Sequence, residues 1–380
     1  MIYLDYAASC PLFPQAAEEL KRCALEDFAN PGGLHRAAGR CRALLQRSRR
    51  QLASLLDVPD RSVFFCSGGT EANNWAIRCG AGRAPGHLLI GECEHKSVLE
   101  SARAMEAEGF SVTLLRPDRQ GQFAPEAVEA AIRPDTRLLS LQAANNETGA
   151  VQDVSALAAV ARRHGVIFHC DAVQSFGHVP LPLSEADLVS LSGHKLGGPR
   201  GVGCLIIRQG LSLPPLIRGG GQELGLRAGT EDVAAISAFA LAAALACEAQ
   251  EREAERVGEL RRLLTARLRD GIPGAVFHES PRMLPGILNF SLPGLSGEEL
   301  LMRLDLRDIC ISTGAACAAS DPKPSHVLLA MGISPEEARR SVRLSLGRLS
   351  TAEEAETAAA AIIEIHRRFA KASVDCEKRR

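Results

Sequence analysis

Short apolar runs alternate with helix-forming stretches through the first half of the chain, and this alternation constrains the fold more than any other feature of the sequence. Each run has the length of a buried strand, and a helical stretch separates it from the next. Strand, helix and strand repeated in this way are typical of a mostly parallel sheet with helices on both faces. We therefore predict an α/β fold. The predicted strands are residues 63–66, 88–91, 112–115, 138–143 and 166–170.

One lysine lies in a loop between two further apolar runs. The first run, 188–192, leads through Gly193 and His194 to Lys195, and the second spans 202–207. The segment 196–201 contains three glycines and a proline, which exclude a helix. A lone lysine is usually a solvated surface residue. These flanks favour burial instead, which lowers the pKa of an amine and suits it to form an imine with an aldehyde cofactor, pyridoxal phosphate (PLP).

Polar residues follow the predicted strands at their carboxyl ends, where parallel sheets bind ligands. Asp171 is the candidate to keep the pyridine nitrogen of PLP protonated, and His95 is the candidate to lie flat on its ring. The alternative interpretation makes Asp171 a helix N-cap and His95 an ordinary loop histidine. A glycine-containing turn that opens a helix offers free N–H groups to the phosphate. The candidate phosphate ligands are Gly69, Thr70, Ser192 and His194.

The strand and helix pattern changes after a long helical tract at 232–269. Strands at 287–292, 309–312 and 341–346 alternate there with helices in an α+β order, and a last helix is expected at 352–369. We predict a large PLP-binding α/β domain at 15–255. A smaller α+β domain is expected to combine 1–14 with 256–380. Residues 370–380 are charged and are expected to form a loose tail.

Charge and cysteine content argue against several classes of protein. The formal net charge of −1 gives no sign of a nucleic-acid or membrane partner, and the arginines of the helix predicted at 36–56 are interpreted as a solvated face. The 12 cysteines include no Cys-x-x-Cys pair, so neither a metal site nor a disulfide framework is predicted. The apolar stretch 234–247 is interpreted as a buried helix. Without a recognisable signal peptide, a cytoplasmic protein is expected.

Eight ordered motifs make the chain resemble bacterial cysteine desulfurases, which are PLP enzymes of the class V aminotransferase branch of fold-type I. The resemblance runs from about residue 2 to 370. It implies a two-domain homodimer that converts L-cysteine to L-alanine and leaves the sulfur on an enzyme cysteine as a persulfide. The motifs are Asp5-Tyr6-Ala7-Ala8, Ser67-Gly68-Gly69-Thr70-Glu71-Ala72-Asn73, Glu94-His95-Lys96, Asn145-Asn146-Glu147-Thr148-Gly149, Asp171-Ala172-Val173-Gln174-Ser175, Ser192-Gly193-His194-Lys195, Arg227-Ala228-Gly229-Thr230 and Ser345-Leu346-Gly347-Arg348.

The resemblance also implies a role for each matched residue. Lys195 would form the imine, Asp171 would pair with the pyridinium, and His95 would stack on the ring and handle protons. Arg343 would clamp the substrate carboxylate, and Asn30 is a second substrate-binding candidate. The remaining cofactor ligands would be Asn146 and Gln174 as hydrogen-bonders, Gly69, Thr70, Ser192 and His194 on the phosphate, and Thr230 on the phosphate of the partner subunit.

The family's nucleophile lies in a loop of small residues, where this chain has Cys317. A nucleophilic cysteine must be a reachable thiolate. Ala318 and Ala319 depart from the hydroxyl-bearing residues common after the nucleophile. The C-terminal segment looks shorter than in members that dock an iron–sulfur scaffold, so either such a scaffold or a tRNA-thiolating enzyme is expected as the sulfur acceptor. Cys376 is interpreted as a passive cysteine rather than a sulfur relay.

Two other functions stay open at the level of sequence. A selenocysteine lyase, or another class V aminotransferase or lyase, would share Lys195 and Asp171 but would need no nucleophile at Cys317. A catalytically silent scaffold that binds sulfur-transfer partners would keep the fold. Such a scaffold is expected to have lost Lys195 or Asp171, and the chain has both.

Overall fold

The computed structural model of the protein describes residues 1–313 and 324–377, with the backbone alone for 370–377. The strands are β1 (Ile2–Tyr3), β2 (Val63–Cys66), β3 (His87–Gly91), β4 (Ser111–Leu115), β5 (Thr136–Ser140), β6 (Ile167–Asp171), β7 (Leu188–Ser192), β8 (Gly203–Ile207), β9 (Val276–Phe277), β10 (Ile287–Ser291), β11 (Ile309–Cys310) and β12 (Ser341–Ser345). The helices are α1 (Pro14–Glu26), α2 (Arg36–Leu56), α3 (Gly69–Gly80), α4 (Lys96–Ala107), α5 (Pro125–Ala131), α6 (Val154–Arg163), α7 (Val233–Gly271), α8 (Gly297–Asp305), α9 (His326–Ala330), α10 (Pro335–Arg339) and α11 (Ala352–Glu377).

A seven-stranded sheet in the order β2-β8-β7-β6-β5-β3-β4 carries the candidate site. Neighbouring strands are parallel, except that β8 runs antiparallel to both β2 and β7. Adjacent residues enter opposite cores: Leu88 packs in one hydrophobic cluster and Leu89 in another, as Leu188 and Val189 also do. Because side chains alternate along a strand, both faces of the sheet are buried. The predicted α/β fold with a mostly parallel sheet is confirmed.

Two smaller sheets consist of the C-terminal strands β9 to β12 and the N-terminal strand β1. Strands β12, β10 and β9 form an antiparallel sheet, and β1 pairs in parallel with β11. Their apolar residues form a core of their own, which includes Leu4, Phe290 and Leu344 and the second half of α7. The domain boundaries at residues 14 and 255 stay a prediction.

Helix α7 connects the two hydrophobic cores. Its first half is long and apolar enough by composition to cross a membrane. Its buried residues, among them Ile236, Phe239 and Ala243, lie instead in the core of the larger sheet, where the helix contacts α1 and α2. The second half contacts α11 and contributes Leu264 and Leu268 to the smaller core. The apolar stretch 234–247 is therefore a buried core helix.

The N-terminal segment spans the gap between the two cores. The Leu4 N–H donates to the Cys310 carbonyl at 2.9 Å, and the Ala7 N–H donates to Ser345 Oγ at 2.9 Å. Three residues further on, the Cys10 N–H donates to the His194 carbonyl at 2.9 Å, next to the lysine loop. Residues 4–10 thus bind the small antiparallel sheet at one end and the end of β7 at the other.

The interpretation of the α2 arginines as a solvated face is wrong for Arg49. Arg49 is buried, and its guanidinium binds both carboxylate oxygens of Glu223, at 2.9 and 2.6 Å. The pair covers the open edge of β2, since Glu223 accepts from the Phe65 N–H at 2.8 Å and Arg49 donates to the Val63 carbonyl. Backbone groups on an edge strand need partners when they are buried, and these side chains supply them.

The expectation of a loose tail after residue 369 is also wrong, because α11 continues to Glu377. The added residues include alanine, lysine and glutamate, which have high helix propensity. Charge in this stretch therefore does not interrupt the helix.

We expect Glu223→Ala to lower the free energy of unfolding by about 3–5 kcal/mol, because it leaves the Arg49 charge buried without a partner. Urea denaturation at neutral pH measures this. The matched control is Glu299→Ala, which removes an exposed partner of Arg303 and should cost no more than about 0.5 kcal/mol. Equal losses in the two variants would contradict a structural role for the buried pair.

Candidate functional site

Three strands bring the candidate catalytic residues to one edge of the sheet. Asp171 is the last residue of β6, Lys195 follows β7 in a short 3₁₀ turn, and His95 lies beyond β3 as the N-cap of α4. These strands run in the same direction, so their carboxyl ends meet. The three charges are close enough to influence one another's pKa.

The Lys195 amine is held by backbone carbonyls of the N-terminal segment. Nζ donates to Ala7 O at 2.7 Å and to Ala8 O at 3.0 Å. The Lys195 carbonyl in turn accepts from Cys10 Sγ at 2.8 Å and from His178 Nε2 at 2.9 Å. Burial and the nearby Arg343 charge lower the pKa of Lys195 to about 8. The neutral, nucleophilic amine is therefore a minority near physiological pH, but a far larger one than for an ordinary lysine.

The Asp171 carboxylate is buried and has two donors. Oδ2 accepts from Asn73 Nδ2 at 2.6 Å and Oδ1 accepts from the Val173 N–H at 3.0 Å. Burial raises the pKa of Asp171, whereas these donors and the positive charges of His95 and Lys195 lower it. The two donors favour the ionised carboxylate, which can then pair with a cation such as a protonated pyridine nitrogen.

His95 has one ring nitrogen engaged and an exposed side chain. Nδ1 accepts from the Ser97 N–H at 3.1 Å and lies 2.7 Å from Ser97 Oγ. Partial burial lowers the pKa of His95, so the neutral ring is favoured. Because Nδ1 accepts the backbone N–H, the proton of the neutral ring lies on Nε2. An exposed, neutral imidazole is suited to cover a flat aromatic ring.

The turn between β2 and α3 has the shape of an anion site. Gly68 has a φ of 149°, and no side chain caps the first N–H groups of α3. A Cβ on Gly69 would lie 2.7 Å from Val173 Cγ2, and one on Gly68 would lie 3.8 Å from Ser192 Oγ. The φ of Gly68 lies in the region that favours glycine, and a side chain at Gly69 would clash with Val173. Free N–H groups and the helix dipole favour a phosphate there, with Thr70 exposed in the first turn and Ser192 beside it.

Arg343 is buried on β12 and points toward the same region. Its Nη1 donates to the Asn146 carbonyl at 2.9 Å and its Nη2 to Asp5 Oδ1 at 2.7 Å, while Nε has no partner among the described residues. Gln174 donates to Ala7 O at 2.7 Å, the carbonyl that also binds Lys195. The structure therefore brings Arg343, Asn146 and Gln174 together with Lys195.

Four other predicted site residues differ in where they lie: two are exposed on the surface, one is the neighbour of Lys195, and one is outside the described residues. Asn30 is exposed and accepts from the Gly32 N–H of its own loop at 2.8 Å. Thr230 is exposed after Arg227, which forms an ion pair with Glu71 in the first turn of α3. His194 lies next to Lys195 and contacts Ser9 Oγ at 3.3 Å, and burial lowers its pKa to about 4. Cys317 lies outside the described residues.

Most of the cysteines in residues 1–313 are buried core thiols. Burial raises the pKa of Cys10 and Cys66 to about 12 and that of Cys79 to about 11. The same cause raises the pKa of Cys310, which is only partly buried. At neutral pH these thiols stay protonated and are weak nucleophiles. The others with raised pKa are Cys23, Cys93, Cys170, Cys204 and Cys247.

Sequence reasoning missed several contacts that shape the site. The carbonyls of Ala7 and Ala8 hold the lysine, and a backbone role leaves no trace in side-chain chemistry. Asn73 binds Asp171, and Ser97 binds His95. Neither role was predicted, although Asn73 lies within one of the motifs and Ser97 directly follows another. A buried asparagine in the middle of a helix was the available signal, because such a residue needs a polar partner.

These residues fit PLP. A lysine of lowered pKa suits its aldehyde, a buried carboxylate suits its pyridine nitrogen, and the N-terminus of α3, which no side chain caps, suits its phosphate. Lys195, Asp171, His95 and the turn at Gly69 are the groups that would hold it.

Known proteins are similar to this chain over most of its length. The family model described as aminotransferase class-V matches residues 2–357. A cysteine desulfurase IscS of Dictyoglomus turgidum is 39% identical over 360 residues, which cover 93% of this chain and 91% of the relative. A solved NifS-like protein aligns with a TM-score of 0.90 at 32% identity over 96% of this chain and 98% of its own. A solved structure of SspA in complex with cysteine has a TM-score of 0.81 at 34% identity, covering 92% of this chain and 100% of its own.

The pKa of Lys195 predicts how PLP rebinding depends on pH. We expect the rate at which the PLP-free protein forms its visible imine band to rise with pH and to reach half its maximum near pH 8, because the neutral amine is the reactive form. Stopped-flow absorbance measures the rate. Lys195→Ala should give no imine band at any pH. A midpoint above pH 10 would contradict the lowered pKa.

Proposed function

The chain belongs to the class V aminotransferase family and is a PLP-dependent cysteine desulfurase, and from this premise we propose which of its residues perform the reaction. The observation that carries the proposal is the meeting of Lys195, Asp171 and His95 at the carboxyl edge of the sheet, with Lys195 at a pKa of about 8. Lys195 would bind the aldehyde carbon of PLP, Asp171 its pyridine nitrogen and His95 its ring face.

Each residue has a distinct part in the chemistry. When bound, PLP supplies an electron sink for negative charge at the substrate α-carbon. The two donors of Asp171 oppose the effect of burial and favour its negative charge, which in turn would favour a protonated pyridine nitrogen. The Lys195 amine is suited to take and return a proton at the α-carbon of cysteine, because its pKa lies near the working pH. The Gly69 turn and Ser192 would bind the phosphate and so fix the position of PLP relative to Lys195.

Arg343 is proposed to bind the carboxylate of the substrate. Its guanidinium is planar and permanently charged, and its Nε has no partner in the described part of the chain. Asp5 and the Asn146 carbonyl orient the group from the opposite side. A carboxylate bound there would lie in the same region as the Lys195 amine. L-Cysteine has the amino and carboxylate groups that this pair requires.

Cys317 is proposed as the sulfur acceptor within the enzyme. Its thiolate attacks the sulfur of bound cysteine, so that an S–S bond forms and the Cβ–S bond of the substrate breaks. The electron pair of the broken bond goes to Cβ, which takes up a proton and leaves as L-alanine. The described thiols with raised pKa are poor nucleophiles at neutral pH, which supports the choice of Cys317 over them.

The persulfide is proposed to pass to a cytoplasmic acceptor protein, either an iron–sulfur scaffold or a tRNA-thiolating enzyme. Two curated relatives at 39% and 38% identity are named cysteine desulfurase IscS, which supports a general sulfur-supply role. The balanced charge of the chain favours a protein acceptor over direct binding of RNA.

We also propose a homodimer in which Thr230 reaches the phosphate of the neighbouring site. The loop that carries it is tied down at two points, by Glu223 to Arg49 and by Arg227 to Glu71. These ion pairs leave Thr230 exposed on a fixed backbone. A fixed, exposed hydroxyl is suited to complete a site on a second chain. Asn30, also exposed, is a further candidate for contact across the dimer.

We expect Cys317→Ser to fold, bind PLP and change its visible spectrum on addition of L-cysteine, yet to form alanine at least about 100-fold more slowly. A serine hydroxyl is hardly ionised at neutral pH, whereas a thiolate is the required nucleophile. Alanine release and mass-spectrometric mapping of trapped persulfide measure the two outcomes. Cys310→Ser is the matched control and should keep wild-type activity. Persulfide mapped to Cys310 or Cys376, with Cys317→Ser still active, would overturn the assignment.

For the dimer, we expect Thr230→Ala to weaken PLP retention several-fold without lowering the melting temperature of the PLP-free protein. The lost hydroxyl removes one phosphate contact but no buried packing. Dialysis followed by absorbance measures retention, and light scattering measures the oligomer. A fully active monomer at micromolar concentration would refute both the dimer and the role of Thr230.

A further inference from the structure

Four polar side chains form a hydrogen-bonded row in the order Asp171, Asn73, Ser97 and His95. The two at its ends are those proposed to contact the PLP ring. Asn73, on α3, is 1% exposed. Its Nδ2 donates one hydrogen to Asp171 Oδ2 at 2.6 Å and the other to Ser97 Oγ at 2.9 Å. Ser97 Oγ lies 2.7 Å from His95 Nδ1. A single buried amide therefore touches Asp171 directly and reaches His95 through one hydroxyl.

The donors in this row all point the same way. An ionised carboxylate only accepts, so the amide must turn its NH₂ toward Asp171. Ser97 Oγ accepts from that NH₂ and has one hydrogen of its own, which it donates to His95 Nδ1. The Ser97 N–H also donates to Nδ1, at 3.1 Å. Nδ1 is thus an acceptor twice, and the imidazole proton lies on Nε2.

The opposite arrangement is also consistent, but only with a protonated Asp171. Protonated Asp171 could donate to Asn73 Oδ1, and the amide would then be reversed. An oxygen directed toward Ser97 would attract the serine hydrogen away from His95. In the arrangement observed, Oδ1 is buried with no partner in the described part of the chain. An unpaired buried acceptor is costly, so the bonds from NH₂ must outweigh it.

We propose that Asn73 is a positioning residue that couples the ionised state of Asp171 to the Nε2-protonated tautomer of His95. The inference rests on the proposed function, because it gives these two residues their parts at the PLP ring. The coupling runs through the orientation of one amide: a carboxylate at Asp171 fixes the amide, the amide fixes the Ser97 hydroxyl, and the hydroxyl fixes the imidazole.

Other charged groups act on both ends of the row. Glu94 and Lys195 influence Asp171, with opposite signs. Lys195, His326 and Lys96 all act on His95 and disfavour its protonated form. Among the described contacts, none of these four charged groups is hydrogen-bonded to the side chain of Asn73 or Ser97. The amide is therefore the direct link between them.

The test compares two variants in two measurements. Histidine tautomers are read by ¹⁵N NMR of histidine-labelled holoenzyme, with the His95 signals assigned by their loss in His95→Gln, and PLP affinity is read by equilibrium dialysis. For Asn73→Ala we expect the Nδ1-protonated tautomer of His95 to appear as a minor fraction, because the Ser97 N–H still donates to Nδ1 but the Ser97 hydroxyl is no longer directed toward it. The PLP dissociation constant should rise about tenfold or more, since Asp171 loses a charge-assisted bond. For Ser97→Ala we expect the same minor fraction, because only the hydroxyl donor to Nδ1 is lost, with a dissociation constant within about twofold of wild type.

Asn74→Ala is the control, because the Asn74 amide donates to the carbonyls of Thr70 and Ser97 and, among the described residues, has no bond to Asp171, Asn73 or His95. It should match wild type in both measurements. If Asn73→Ala does not fold, Asn73→Asp keeps the shape, removes the donor and should change both readouts in the same directions. An unchanged His95 tautomer in a folded Asn73 variant, or an unchanged PLP affinity, would overturn the coupling. Failure of wild-type protein to bind PLP would instead overturn the proposed function.

Discussion

Lys195 and Gln174 donate to the same backbone oxygen, that of Ala7, while the N–H of the same residue donates to Ser345 on the smaller antiparallel sheet. One peptide segment therefore fixes the position of Lys195 relative to the smaller antiparallel sheet. Asp5, two residues earlier, holds Arg343 at 2.7 Å. The lysine proposed to bind the PLP aldehyde and the arginine proposed to bind the substrate carboxylate are thus positioned from a single short stretch of chain.

Much of this site was predictable, because it depends on local pattern and on one rule of sheet topology. The strands β2 and β7 lie where the apolar runs predict them, and parallel strands bring their carboxyl ends together. Asp171, His95 and Lys195 follow three such strands, so their convergence could be predicted from the sequence. The glycines before α3 indicated an anion site for a similar reason: they directly precede a helix N-terminus.

What was not predictable depends on partners distant in sequence. Arg49 looks like one of several surface arginines until Glu223, 174 residues away, folds over the edge of β2. The carbonyls that hold Lys195 come from Ala7 and Ala8, whose side chains carry no polar signal. Asn30 and Thr230 are exposed in one chain, so no property of that chain alone can show which group they serve. Hydrophobic periodicity predicts which face of a helix or strand is buried, but not which distant residue contacts that face.

The buried cysteines have a consequence for the fidelity of sulfur handling. A persulfide exchanges its outer sulfur with any accessible thiolate, and the rate follows the thiolate fraction. Nine thiols in the described chain have a pKa raised by burial, so they offer little thiolate at neutral pH. A protein so rich in cysteine can therefore carry reactive sulfur without losing it to its own interior. Burial of these thiols keeps them protonated, so the persulfide sulfur is available to an external acceptor and is not passed to cysteines of the core.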